Sequence, residues 1–166
     1  KYHVLQGHAG TGKTTLVRSL VESFKLTEEL YKLTNSNYKP KQYYFTATTN
    51  KAAEALSQAT QEQATTVHSL LGIAVRTDFT SGENYSFRKR DAETLSNSII
   101  IIDECSYIDD RLLTLIDQGT DATCKVLFMG DSAQLTPVKS ELTPVFNKNY
   151  PTVSLTQIVR QEATNP

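Results

Sequence analysis

The chain has 166 residues, enough for one domain that buries a core without disulfides or metal ions. Hydrophobic residues make up 39% and charged residues 21%, and no apolar run approaches the roughly 18 residues of a membrane span. The net charge of −1 excludes a global basic field, so any nucleic-acid contact must come from local clusters, hydroxyls and backbone amides.

Taken in chain order, Tyr2 to Gln6 is a short apolar strand that runs into a glycine-rich loop. Leu16, Val17, Leu20, Val21 and Phe24 follow at helical spacing and predict one apolar face. Asn35, Ser36, Asn37 and Pro40 break that helix, and Gln42 to Ala47 reads as a second strand. Lys51 to Ala59 is alanine-rich and helical, with Asn50 in position to cap it. Between Ile73 and Arg90 the pattern changes. Phe79, a glycine-containing turn over Thr80–Asn84, then Tyr85 and Phe87 predict an antiparallel hairpin inserted into the fold. Ser98 to Asp103 contains four consecutive isoleucines, as in a strand covered on both faces. Ile108 to Gly119 is helical, and Cys124 to Met129 is another buried strand. Strands alternating with helices predict an α/β fold, a doubly wound parallel sheet that binds ligands at the C-terminal strand ends. The start of the chain lacks a secretion-signal pattern, and Cys105 and Cys124 have no metal-ligand spacing; reduced thiols in a cytoplasmic monomer are expected.

Gly7-His8-Ala9-Gly10-Thr11-Gly12-Lys13-Thr14 matches GxxxxGK[ST] between a predicted strand and helix. Glycines in such a loop let backbone N–H groups surround a phosphate, helped by the helix N-terminus. The candidate nucleotide-binding set is Gly7, Ala9, Gly10, Thr11, Gly12, Lys13, Thr14 and Thr15. Lys13 would reach the β- and γ-phosphates of ATP and the Thr14 hydroxyl would bind Mg²⁺. The isoleucine strand ends in Asp103, a second Mg²⁺ ligand, and Glu104, suited to orient or deprotonate water. Asp109 and Asp110 read as helix-starting residues. The loop Gly130–Val138 carries Gln134, either a γ-phosphate contact or part of a structural turn.

Together with Thr46–Ala53, Thr65–Leu71 and Leu155–Gln161, these segments resemble the N-terminal RecA-like motor domain of superfamily 1 DNA helicases of the RecD and phage Dda type. The resemblance covers nearly the whole chain, residues 1–166 forming one RecA-like P-loop NTPase domain with a hairpin insertion at about 73–90. It implies an ATP- and Mg²⁺-dependent helicase that moves 5′ to 3′ on single-stranded DNA, in a bacterial or phage-infected host cytoplasm, with replication or recombination proteins as partners. Gln134 then resembles a γ-phosphate sensor, and Arg160 an arginine that approaches the γ-phosphate, where a fixed planar cation suits a transferring phosphoryl group. Thr48, Thr49, Asn50, Thr66 and His68 fall in segments that hold single-stranded DNA in the family. Thr49 and Asn50 read equally as helix caps, and His68 as a structural histidine.

The hairpin lies where the family inserts a duplex-splitting element. Phe79 and Phe87 would stack on bases or pack on the core, and Arg88-Lys89-Arg90 reads as a phosphate patch or a solvated face. Thr48 stands where relatives commonly have proline, and Cys105 where they have alanine or valine. The upstream adenine-contacting segment and the second motor domain are expected to lie outside this sequence, leaving half of an active site. A GTPase is disfavoured because Asn50-Lys51-Ala52-Ala53 lacks the guanine-reading aspartate. A kinase would need a larger lid than the hairpin provides. A nucleotide-dependent binding module, without productive hydrolysis, is the remaining alternative.

Overall fold

The computed structural model describes residues 1–134 and 143–156. Its centre is a parallel sheet of six strands in the order β3-β2-β6-β7-β1-β8. The strands are β1 (Tyr2–Gly7), β2 (Gln42–Ala47), β3 (Ala64–Thr66), β6 (Ser98–Asp103), β7 (Lys125–Gly130) and β8 (Thr152–Leu155). Helices α1 (Lys13–Thr34), α2 (Asn50–Thr60), α3 (Val67–Leu70), α4 (Asp110–Gly119) and α5 (Pro144–Asn147) connect them. The predicted doubly wound architecture is therefore present. Two strands and two helices had no periodic signal, because β3, β8, α3 and α5 are only three or four residues long.

Alternation within the strands feeds two cores. Ile100, Ile102, Val126 and Phe128 pack with Val67, Leu71, Leu113, Leu115 and Ile116. Leu5, Phe45, Ile101 and Met129 pack with Val17, Val21 and Leu56. The isoleucine run is thus buried from both sides, as its composition predicted.

Helix α1 corrects the expected single apolar face. Val17 and Val21 are buried, while Leu16, Leu20 and Phe24 are exposed, together with Leu26, Leu30 and Leu33 further along. Leu16, Leu20 and Phe24 line an apolar groove of about 610 Å³ together with Leu127 and Val153.

The hairpin pairs β4 (Ile73–Thr77) with β5 (Asn84–Arg88), antiparallel, with Ala74 opposite Phe87 and Arg76 opposite Tyr85. Its turn spans residues 78–83, so Phe79 belongs to the turn and Asn84 to the strand, a shift from the expected boundaries. The Asp78 carboxylate accepts from the Thr80 N–H at 2.8 Å, and its carbonyl from the Gly82 N–H at 2.7 Å. Gly82 takes a positive φ of 72°, which a side chain would resist. At the hairpin base the Arg88 guanidinium donates to the carbonyls of Leu71, Gln118, Ala92 and Glu93. Arg88 is half-buried and ties the hairpin to the body of the domain, while Lys89 and Arg90 are exposed.

Candidate functional site

Strands β6, β7 and β1 are neighbours, with Ile102 opposite Phe128 and Gln6 opposite Gly130. The loops after all three therefore open on one edge. Between them lies a cavity of about 390 Å³ lined by Lys13, Thr14, Asp103, Glu104, Ser106 and Asp131, with Ala9, Gly10, Gly12, Thr15 and Gly130 completing its wall. Residues far apart in sequence are brought together as the motifs implied.

The glycine loop has the conformations its glycines permit. Gly10 and Gly12 have φ of 81° and 83°, in the left-handed region. Gly12 is also the N-cap of α1, which has no side-chain cap and no acidic residue in its first turn. The first-turn amides and the positive end of the helix dipole thus face the cavity without a competing side-chain acceptor. The Lys13 ammonium donates to the carbonyls of Gly7 and His8, at 2.6 and 3.1 Å, folded over the same loop.

Gly7 and Thr11, both expected to bind nucleotide, are not among the residues that line the cavity. Thr11 is buried and its hydroxyl donates to the His8 carbonyl at 2.8 Å. A β-carbon at Gly7 would come within 2.6 Å of the Thr11 hydroxyl and 3.0 Å of the Leu155 carbonyl, so Gly7 permits close packing of β1 against β8. Across the loop, His8 Nδ1 lies 3.4 Å from a carboxylate oxygen of Asp131.

At the end of β6 the Asp103 carboxylate accepts from the Glu104 N–H at 2.8 Å. Burial raises the Asp103 pKa above the usual aspartate value, opposed by that hydrogen bond and by the Lys13 charge. Glu104 is also raised, first by desolvation and then by the adjacent Asp103 charge, with Lys51 acting against both. The Glu104 backbone is left-handed, at φ 54° and ψ 46°, and it leads into a 3₁₀ turn over Cys105–Tyr107. Cys105 is buried and its thiol is pushed up to about 12, mainly by desolvation, which makes it a packing residue. Its Sγ would sit 2.7 Å from a β-carbon placed at Gly130.

Ser106 and Asp131 line the cavity but were not singled out in the sequence. Asp131 lies within the Gly130–Val138 loop and Ser106 two residues after Glu104, but neither was given a role, because their location depends on how β6 and β7 end. The backbone of Gln134 closes a 3₁₀ turn over Ser132–Gln134. The Gln134 side chain and Arg160 lie outside the described residues.

The candidate strand-contacting residues cluster on the adjacent edge. Ala47 is opposite both Thr66 and Asp103, so the β2–α2 junction lies beside Glu104 and the β3–α3 junction one strand further out. Thr49, not Asn50, is the N-cap of α2, its hydroxyl accepting from the Ala52 N–H at 3.2 Å. Asn50 is already inside the helix, which corrects the expected cap. Thr66 caps α3 in the same way, through the Ser69 N–H at 3.1 Å. Burial lowers the His68 pKa, against the pull of Asp109, and so favours a neutral imidazole. Asp109 caps α4 as predicted. Thr48 caps nothing; its hydroxyl donates to the Glu104 carbonyl at 3.3 Å.

On the hairpin, Phe79 is 97% exposed at the turn, so it does not pack on the core. Phe87 lies 6.0 Å from Tyr85 between ring centroids, with the Arg76 guanidinium 5.0 Å from its own centroid. These three border a cavity of about 530 Å³ with Lys89 and Arg90.

Residues 1–140 match the family model described as an AAA domain. The chain is 33% identical over 167 aligned positions to the ATP-dependent RecD2 DNA helicase of Deinococcus radiodurans, across 98% of this chain and 20% of that protein. The chain belongs to the superfamily 1 helicases of the RecD and Dda type. The ATP-dependent DNA helicase dda of Enterobacteria phage T4 is 29% identical over 171 positions, covering 98% of this chain and 36% of the relative. The chain thus spans from a fifth to about a third of these two helicases. Among solved structures, the Pif1 helicase from Candida albicans shares the fold at a TM-score of 0.53 and 23% identity, over 96% of this chain and 36% of that one. The chain accordingly has an α/β RecA-like fold, and none of its described helices is long and apolar enough to cross a membrane.

Proposed function

We propose that this domain binds ATP with Mg²⁺ as one wall of a helicase motor that couples hydrolysis to 5′ to 3′ movement along single-stranded DNA and to duplex unwinding. One observation carries this reading: Lys13, Thr14, Asp103 and Glu104 line a single cavity, and the hydroxyl-rich ends of β2 and β3 are the next two strand ends along the same sheet edge. Two relatives named as ATP-dependent DNA helicases support it.

The roles follow from chemistry. Backbone amides of the glycine loop and the start of α1 hold the phosphate oxygens, and Lys13 leaves the Gly7 and His8 carbonyls to pair with them. The Thr14 hydroxyl and Asp103 carboxylate are hard oxygen donors on one cavity, a set that fits Mg²⁺. When bound, the ion neutralises charge on the phosphate oxygens. Glu104 orients the attacking water and accepts its proton. Gln134 senses the γ-phosphate, and Arg160 offsets charge on the transferring group. Thr48, Thr49, Asn50, Thr66 and His68 hold the DNA backbone, and the exposed Phe79 with Phe87 stacks on bases. The domain works in the cytoplasm, with replication or recombination proteins as partners.

Half an ATP site turns over slowly. The isolated 166-residue chain is expected to bind a fluorescent ATP analogue, displaced by ATP more readily than by GTP. It should also bind oligothymidylate weakly, hydrolyse little ATP and unwind no duplex. Equal displacement by GTP would defeat the assignment to ATP. Strong strand-stimulated turnover would defeat the half-site.

A further inference from the structure

Strands β2 and β6 run in register, with Ala47 opposite Asp103, so the next residues, Thr48 and Glu104, leave the sheet side by side. The Thr48 hydroxyl donates to the Glu104 main-chain carbonyl at 3.3 Å. Glu104 itself has a left-handed backbone, unfavourable for any residue with a β-carbon. Such a conformation persists only where its surroundings over-determine it. Here the Asp103 carboxylate holds the Glu104 N–H from one side, and Thr48 with the Tyr107 N–H holds its carbonyl from the other. Thr48 is the one of these partners that comes from outside the Asp103–Tyr107 segment. Loss of that bond leaves Glu104 freer to relax, which turns its carboxylate in the cavity.

Thr48 also stands at the entrance to α2, immediately before Thr49 and Asn50. The Thr49 oxygen is occupied as the cap, whereas Thr48 has no capping duty. A hydroxyl has a single proton to donate, so Thr48 serves either the Glu104 carbonyl or another acceptor. An ionised phosphate oxygen is a stronger acceptor than a neutral carbonyl. We propose that Thr48 is a positioning residue that couples strand binding to the hydrolytic centre: its hydroxyl holds the Glu104 backbone until a phosphate of single-stranded DNA takes over that hydrogen bond. The inference rests on the strand-binding reading above and adds a route from the strand to the carboxylate. Thr48 contacts Glu104 through the main chain only and acts without touching the nucleotide.

Amide NMR of the 166-residue chain, titrated with a short oligothymidylate, tests this directly. In the wild type the Thr49 and Asn50 signals should move, and those of Glu104 and Cys105 should move with them. Thr48→Val keeps the shape of the side chain and removes the donor. Its Glu104 signal should start displaced and no longer respond, while Asn50 still does. Thr48→Ser, which retains the donor, should restore the wild-type response. A wild-type titration that moves Asn50 but leaves Glu104 still would overturn the coupling alone, as would an undiminished Glu104 response in Thr48→Val. A wild type with no change at either the Thr48–Asn50 or the Thr66–His68 segment would overturn the strand-binding reading, and the coupling with it.

Discussion

At the glycine loop the binding groups are main-chain amides, whereas at the β2–α2 and β3–α3 junctions they are side-chain hydroxyls, two of which already cap helices. Gly10 and Gly12 take left-handed conformations, and α1 starts with no side-chain cap, so that edge keeps its amides for a ligand. Thr49 and Thr66 instead satisfy the first turns of α2 and α3. A loop of the first kind is specified by where side chains are missing. The second kind leaves stability and binding in the same residues, so substitutions there change both.

The largest separation between the two regions should come from Lys13→Ala. Loss of charge-assisted contacts to phosphate is expected to weaken binding of a fluorescent ATP analogue by roughly 10- to 100-fold. The midpoint of thermal unfolding should scarcely change, because among the described residues the hydrogen bonds of Lys13 go to loop carbonyls. A loss of stability comparable to that of a core substitution would contradict the division. Gly130→Ala reverses the signature. Its added carbon would meet Cys105 Sγ at 2.7 Å, and overpacking of this kind costs about 1–3 kcal/mol, readable in urea unfolding. Pairing it with Cys105→Ala should recover part of that loss. The smallest effect, about 1 kcal/mol, is expected for Thr49→Ala through loss of the α2 cap. Asn50→Ala, inside the helix, should be near neutral for stability and should weaken oligothymidylate binding alone. If Asn50→Ala costs as much stability as Thr49→Ala, the assignment of the cap is wrong.

The central sheet was legible because its strands are long enough to carry a period and are punctuated by turn residues. The elements that escaped were short, and their existence depends on pairing: β3 lies along β2 and β8 along β1. The gathering of Lys13, Thr14, Asp103 and Glu104 was also legible, since each follows a strand that belongs to the same sheet. Three details depend on backbone angles and packing that composition does not carry. Adjacent Thr49 and Asn50 are equally good caps by composition, and only the backbone angles separate them. Leu16, Leu20 and Phe24 satisfy helical spacing as well as Val17 and Val21 do, so periodicity alone could not say which set faces the sheet. Arg88 looked like one member of a basic triplet, and nothing in the sequence marks a guanidinium that meets four carbonyls.

Those four carbonyls have a mechanical consequence. They belong to Leu71 at the end of α3, to Gln118 in the last turn of α4, and to Ala92 and Glu93 in the return segment. The Arg111 side chain adds a further bond from the first turn of α4 to the Ser86 carbonyl in β5, at 2.9 Å. A load applied at the exposed tip is therefore delivered to both ends of α4 and across several bonds in parallel. The base of the hairpin is thus fastened to α3, to both ends of α4 and to the return segment, and not only through its two chain connections.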